Sequence, residues 1–428
     1  MKILVIGSGG REHAICATLL RTSSSNAQLF CAPGNAGIAQ IAECVPIKAE
    51  DQQGLLTFAK DQDINLTVVG PEAPLALGLV DVFEHNDLKI VGPRSEAARL
   101  ESSKAFAKAF MDRHSIPTAR YQVANSYDEA EALLRSGQFG DENASVVIKA
   151  DGLAAGKGVF VASHRAAAFN ALIELRSGAA GADAVRKIVI EEALEGPEVS
   201  ILLFADGKNY RLMPAARDHK RIGENDTGPN TGGMGSITDG EIIDPSTLDR
   251  VVREVVEPTL EGCRVEGFPF RGILFIGLML TADGPRVLEY NVRFGDPETQ
   301  SIMVRLKTDL TEIFTAIAEQ RLGELPVAWS PDASACVVLA ARGYPARSET
   351  GANIMGLERA SEHEQVSIFH AATSRQNGNW LTAGGRVLGV TATGENLDSA
   401  LGRCYGAIAE IRWDGMQYRR DIGRTARV

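Results

Sequence analysis

The stretch RVLEYNVRFGDPETQ, Arg286 to Gln300, places Glu289 and Asn291 two residues apart in a strand-like run of alternating apolar and polar positions. Side chains two apart on a strand share a face, so a carboxylate and an amide oxygen stand side by side. That pair suits a hard cation such as Mg²⁺ or Mn²⁺. Arg293 extends the polar face with a guanidinium shaped for phosphate or carboxylate oxygens. The outline is that of a phosphoryl-transfer site. A solvent-facing edge strand with an incidental ion pair would show the same peptide, so the other segments must discriminate.

Residues 1 to about 100 alternate short apolar strands with helical stretches: KILVIGSGG, QLFCAPGN, LTVVGPEAP and KIVGP, each closed by a Gly or Pro turn. This is the βα rhythm of a doubly wound parallel sheet. Gly7, Gly9 and Gly10 lie between the first strand and a helix starting near Arg11, where backbone N–H groups can meet an anion. The loop is G-x-G-G, with Glu12 where a dinucleotide fingerprint needs more spacing. No acidic residue closes the second strand to hold a ribose, which argues against dinucleotide binding. His13, near the helix start, shows no partner in the sequence and reads as structural.

With 428 residues the chain exceeds what one core usually serves, and two to four domains are expected. Forty-four Lys and Arg against 55 Asp and Glu give a net charge of −11, without a basic cluster, which excludes a nucleic-acid surface. Six widely spaced cysteines without a C-x-x-C pair suit a reducing compartment and neither zinc nor disulfides. The chain enters a strand at once and holds no apolar run of membrane-spanning length, so a soluble, cytoplasmic protein with no membrane contact is expected.

In the middle of the chain, helical signals run from Ser102 to His114, and the strand VVIKA carries Lys149 among apolar neighbours. A lysine there is costly to bury without an anion, and a phosphate would supply one; a lysine snorkelling to the sheet edge is the plainer alternative. DGLAAGKGV follows, with glycines and alanines around Lys157 that can lay amides over phosphates. It is not a Walker loop, because Gly158 stands where Ser or Thr would hold Mg²⁺. Next comes KIVIEEALEGPEVS, two strands joined by a connector with Gly196 and Pro197. Such a connector supplies the apolar slot and backbone donor and acceptor that adenine needs, and a carboxylate beyond it suits the ribose hydroxyls.

This order of phosphate lysine, glycine loop, connector and Glu/Asn strand resembles the ATP-grasp superfamily. The resemblance narrows on DHKRIGENDTGPNTGGMG (Asp218 to Gly235). With GSGGREHA at the start, VGPEAPL at 69 to 75, KADGLAAGKGV, NVRFGDPETQ and AGGRV at 383 to 387, the chain is similar end to end to the phosphoribosylamine-glycine ligase family.

The resemblance implies ligation of glycine to 5-phosphoribosylamine with ATP as phosphoryl donor, through glycyl phosphate, in purine biosynthesis. It implies that Lys104 and Lys149 contact ATP phosphates, that Gly156, Lys157 and Gly158 close over them, that Glu191 and Leu194 meet adenine, and that Glu198 meets the ribose. Glu289 and Asn291 would hold the metal. Arg293, Lys220 and Asn230 would serve the transferring phosphoryl group, and Asp218, Arg221 and Arg386 the substrates. Gly7, Gly9, Gly10 and Arg11 would bind the phosphate or ribose of phosphoribosylamine, with Glu72 accepting from ribose hydroxyls.

The implied architecture is α/β and α+β multidomain. An N-terminal doubly wound, pre-ATP-grasp domain spans 1–103, the ATP-grasp central domain 104–122 and 193–328, its lid 123–192, and a small C-terminal α+β domain 329–428. A monomer is expected, with Val428 leaving no room for the modules fused to some family members. Arg217 before Asp218, and SITDG after the glycine-rich stretch, depart from the family pattern. The strand before Glu289, GILFIGLML, lacks the acidic ligand that many ATP-grasp enzymes place there. Competing readings are another ATP-grasp carboxylate-amine ligase, an NAD-dependent oxidoreductase resting on the N-terminal loop, and a non-catalytic nucleotide sensor, against which the intact Glu289 and Asn291 count.

Overall fold

A computed structural model of the 428-residue chain describes residues 1–24, 27–153, 158–177 and 187–424. Its first sheet is built from Lys2–Gly7, Gln28–Pro33, Glu43–Cys44, Leu66–Val69 and Ile90–Val91. They lie in the order third, second, first, fourth, fifth, with every pairing parallel. Strands covered by helices on both faces need continuous apolar runs, and Ile3, Leu4, Val5 and Ile6 are all fully buried. The chain reverses direction about the first strand, and the helix Gly10–Thr22 starts directly at that strand's C-terminal end. Ligands of open α/β sheets gather at such a point.

Two antiparallel sheets form the middle of the chain and meet where Lys149 of one donates to Leu288 O of the other. One joins Tyr210–Leu212, Glu198–Asp206, Arg271–Thr281 and Gly284–Asn291 in that spatial order. The other joins Tyr121–Ala124, Ile188–Glu192, Val146–Ala150 and Val159–Ala162. The second has its own core, in which Ile148 and Ile190 pack on Leu134 and Leu175 of the helices Tyr127–Arg135 and Arg165–Arg176.

The helical signal from Ser102 to His114 is the helix Lys104–Arg113, and a separate helix, Ser95–Ser102, precedes it. Ser103 separates them: extended in its backbone, it caps the second helix by accepting from Phe106 N at 3.1 Å. Asp151 reinforces the break by accepting from Ser103 Oγ and Ala105 N. The final helix runs Leu397–Ile408 and begins where the Asn396 side chain caps it by accepting from Ser399 N.

The glycine-rich stretch at 218–235 reads from sequence as a long binding loop without apolar anchors. It is anchored. Arg221–Gly223 and Thr227–Asn230 form a hairpin, and Gly235–Thr238 is a buried strand of the C-terminal sheet. There it pairs with Ala333–Ala340, which continues to Arg386–Gly394 and Val366–His370. Small residues hid it: a strand reading Gly-Ser-Ile-Thr buries little apolar surface, yet Ser236 bonds Pro297 O and the Ser301 hydroxyl inside the core. Among the described residues no helix is long and apolar enough to cross a membrane.

Candidate active site

Glu289 and Asn291 lie on one face of Gly284–Asn291, opposite Gly277 and Phe275 of the neighbouring strand. A Cβ at Gly277 would make only ordinary van der Waals contact with Glu289 Cγ, at 3.5 Å, so the carboxylate does not depend on the glycine for space. Burial alone would raise the Glu289 pKa, but Lys220, Lys104, Lys149 and Arg293 together hold it at about 2, so the group is an anion at neutral pH. Four residues singled out in the sequence, from four different segments, thus converge on a fifth. Among the described residues no three or more His, Cys, Asp or Glu side chains are grouped so that they could hold a metal ion. A two-oxygen donor set fits a hard cation that takes its remaining ligands from phosphate and water.

Arg293 lies just past the strand end and is clamped rather than free. It donates to Asn291 Oδ1 at 3.0 Å and pairs with Glu101 at 2.9 Å and Glu72 at 3.3 Å. Glu101 also accepts from Val292 N at 2.8 Å, which fixes the chain directly after the candidate metal ligands. Burial shifts the Glu101 pKa upward against the pull of Arg293. No motif marked Glu101 in the sequence; its signal is positional, an acid closing a helix one residue pair before Lys104.

Lys104, at the first position of its helix, donates to Glu101 O at 3.2 Å. Lys149 does not snorkel: it is 5% exposed, donates to Leu288 O at 2.8 Å and pairs with Glu191 at 2.9 Å. The Glu191 side chain therefore points to lysines. Leu194 is half-buried in the connector, while Glu198 opens the next strand and pairs with Lys220 at 2.8 Å. Burial would lower the Lys220 pKa, yet Glu198 and Glu289 raise it, keeping it cationic. Gly156 and Lys157 lie outside the described residues; Gly158 O accepts from Ala150 N at 2.8 Å.

Arg221 is engaged within its own hairpin, donating to Gly228 O at 2.7 Å, and its strand partner is Asn230. The hairpin is fastened by Arg419, a fully buried guanidinium that bonds Asp226, Asp421 and Arg221 O and that sequence reasoning missed. Asp218 accepts from His219 N at 2.6 Å, and burial together with the neighbouring Glu298 raises its pKa. Arg386 spans the gap between segments: it donates to Gly232 O and Asp296 O and pairs with the Asp296 carboxylate at 3.2 Å.

The N-terminal glycine loop is wrapped around a side chain of its own. Glu12 Oε2 accepts from Gly9 N at 2.6 Å, and Oε1 accepts from Arg11 Nε at 2.7 Å. Gly7, at φ +126°, has no room for a side chain, since a Cβ would stand 2.6 Å from Glu12; one on Gly70 would overlap the same carboxylate. The anion at this helix N-terminus is thus Glu12 itself, which closes the loop against a dinucleotide pyrophosphate. Arg11 is 8% exposed and also donates to Phe294 O at 2.9 Å; Gly10 packs toward Gln300 and Ala371. Glu72, whose pKa burial would raise, is lowered by Arg293 and Arg11 and stays ionised between them. His13 has a partner after all: its Nδ1 accepts from His370 N at 2.9 Å, tying this helix to the C-terminal sheet.

Family models of phosphoribosylglycinamide synthetase match three consecutive segments: the N domain over 1–101, the ATP-grasp (A) domain over 102–299 and the C domain over 334–425. The chain belongs to the phosphoribosylglycinamide synthetase family. Members named phosphoribosylamine–glycine ligase include one from Vibrio parahaemolyticus, 46% identical over 100% of this chain and 98% of its own length. Another, from Xanthomonas axonopodis pv. citri, is 47% identical with the same coverage. The crystal structure of phosphoribosylamine–glycine ligase from Thermotoga maritima superposes with a TM-score of 0.85 at 34% identity, covering 98% of this chain and 100% of that one. A Campylobacter jejuni biotin carboxylase shares the fold, with a TM-score of 0.71 at 15% identity over 97% of this chain and 92% of that one.

Proposed function

We propose that this family member joins glycine to 5-phosphoribosylamine at the expense of ATP, giving glycinamide ribonucleotide, ADP and phosphate. The observation that carries the reading is the convergence of Lys104, Lys149, Lys220 and Arg293 on the ionised Glu289. A carboxylate is a poor acyl donor, so an oxygen of glycine first takes the γ-phosphoryl group, forming glycyl phosphate. The ribosylamine nitrogen then attacks the carbonyl carbon, loses a proton, and phosphate leaves as the C–N bond is completed. Little covalent work falls to the protein; it positions the reactants and offsets their charge.

Lys149 and Lys104 serve the ATP phosphates, and Lys220, tied to Glu198, serves the transferring group and the ribose edge. Glu289 and Asn291 would hold Mg²⁺ or Mn²⁺, which when bound offsets the charge of the phosphate oxygens. Arg293, clamped by Glu72 and Glu101, presents a fixed positive charge beside the acyl phosphate. The phosphoribosylamine side is formed by Glu72, Arg11 and Arg386.

ADP release measured with each substrate omitted in turn tests the assignment. The expected result is release that needs glycine and phosphoribosylamine together. Equal release with another amino acid, or with another amine, would assign a different carboxylate-amine ligase.

A further inference from the structure

Lys108 sits four residues after Lys104, on the same face of the helix Lys104–Arg113, and is 2% exposed. Its ammonium is 3.0 Å from Glu191 Oε2, while Lys149 is 2.9 Å from Glu191 Oε1. One buried carboxylate therefore serves two buried lysines, and the trio keeps one net positive charge. Lys108 also donates to Thr118 Oγ1 at 2.7 Å, and Thr118 donates to Val287 O at 2.7 Å. Lys149 donates to Leu288 O, the next carbonyl of the same strand. The two lysines are thus fixed against the strand that carries Glu289, one directly and one through Thr118.

A 1:1 buried ion pair is neutral, and a lysine closed into such a pair has little attraction left for an anion. We propose that Lys108 is a positioning residue for the nucleotide: by taking one oxygen of Glu191 it prevents Lys149 from being neutralised, so that the phosphates meet a net positive charge. The inference rests on Lys149 as a phosphate contact. It assigns to Lys108 no contact with substrate. Burial and the adjacent Lys149 also pull the Lys108 pKa down to about 8, against Glu191, as expected of two cations competing for one anion.

Steady-state kinetics and calorimetric ADP binding on a set of variants test this. Lys108→Met leaves a balanced Lys149–Glu191 pair and no orphaned charge; Lys108→Gln, which keeps a donor for Thr118, is the second variant should the first fail to fold. Both should raise KM for ATP and Kd for ADP roughly tenfold, with KM for glycine and phosphoribosylamine unchanged. Lys108→Arg should stay near wild type. In the double variant Lys108→Met/Glu191→Gln, Lys149 regains its net charge, and KM for ATP should return toward the wild-type value. The proposal is overturned by a KM for ATP within about twofold of wild type in both single variants, by a parallel rise for all three substrates, or by no recovery in the double variant. Lys149→Ala measured alongside separates the two readings: if it leaves ATP binding intact, the role of Lys149 fails and that of Lys108 with it. If it weakens binding while Lys108→Met does not, only Lys108 is wrong.

Discussion

At the proposed nucleotide site, two buried lysines share one glutamate and leave positive charge over; at the N-terminal loop, one glutamate receives both an arginine and a glycine amide and leaves almost nothing over. Both regions carry glycines, basic residues and a strand end, and from sequence both suggest phosphate. The difference lies in what each has already bound. A glycine loop is a cradle for an outside anion only if no side chain of its own fills it, and here Glu12 does. A buried lysine signals an anion only if its partners do not balance it, and here Glu191 balances one lysine of two.

The sharpest test of this contrast is Glu289→Ala, which removes the anion on which the nucleotide-side cations converge. Turnover should fall on the order of 10²-fold or more, with the fold kept, because the change removes a polar side chain that packs no apolar core. Steady-state rates at saturating Mg²⁺ check it, and near-normal activity at limiting Mg²⁺ would break the metal assignment.

Next in size is the exchange of effects between the two ends. Lys149→Ala should raise KM for ATP roughly tenfold or more and leave phosphoribosylamine nearly unaffected. Arg11→Ala should raise KM for phosphoribosylamine, less steeply because Glu12 already holds its Nε, and leave ATP nearly unaffected. Varying each substrate in turn measures this, and a large rise in KM for ATP in the Arg11 variant would mean that the glycine loop serves the nucleotide.

The plugged loop itself predicts a loss of stability. A Cβ at Gly70 overlaps the Glu12 carboxylate, so Gly70→Ala should cost about 1–3 kcal/mol in denaturant unfolding. An unchanged midpoint would show that Glu12 can leave the loop, and the contrast between the two ends would weaken.

The smallest effect is a pH dependence at the seam behind the loop. Burial lowers His13 to about 3 and His370 to about 4, from an ordinary 6.5. Between about 6.5 and 4 the unfolded chain takes up protons that the folded protein refuses, so stability falls as pH falls. The slope reaches at most about 1.4 kcal/mol per histidine per pH unit. Thermal melting of the wild type should decline from pH 6.5 to 4.5, and His13→Gln should flatten the decline.

Glu289, Asn291, Lys149 and the order of motifs were legible because strand periodicity and an apolar setting announce them locally. Glu101, Lys108 and Arg419 were not. Each is a charged residue in ordinary helix or tail sequence, and its meaning comes from a partner tens or hundreds of residues away, as with Arg419 and Asp226. His13 showed no partner for the same reason, since His370 is 357 positions distant.

By itself the sequence determined the parallel N-terminal sheet, the strand that presents Glu289 beside Asn291, and the run of motifs that marks the family. These follow from side-chain period and turn chemistry within a few residues. Tertiary structure alone decided which charges are already satisfied: that Gly9 and Arg11 belong to Glu12, that Glu191 divides its oxygens between Lys108 and Lys149, and that the glycine-rich stretch ends as a buried strand. Charge balance and burial are sums over neighbours in space, and those neighbours come from segments far apart in the chain.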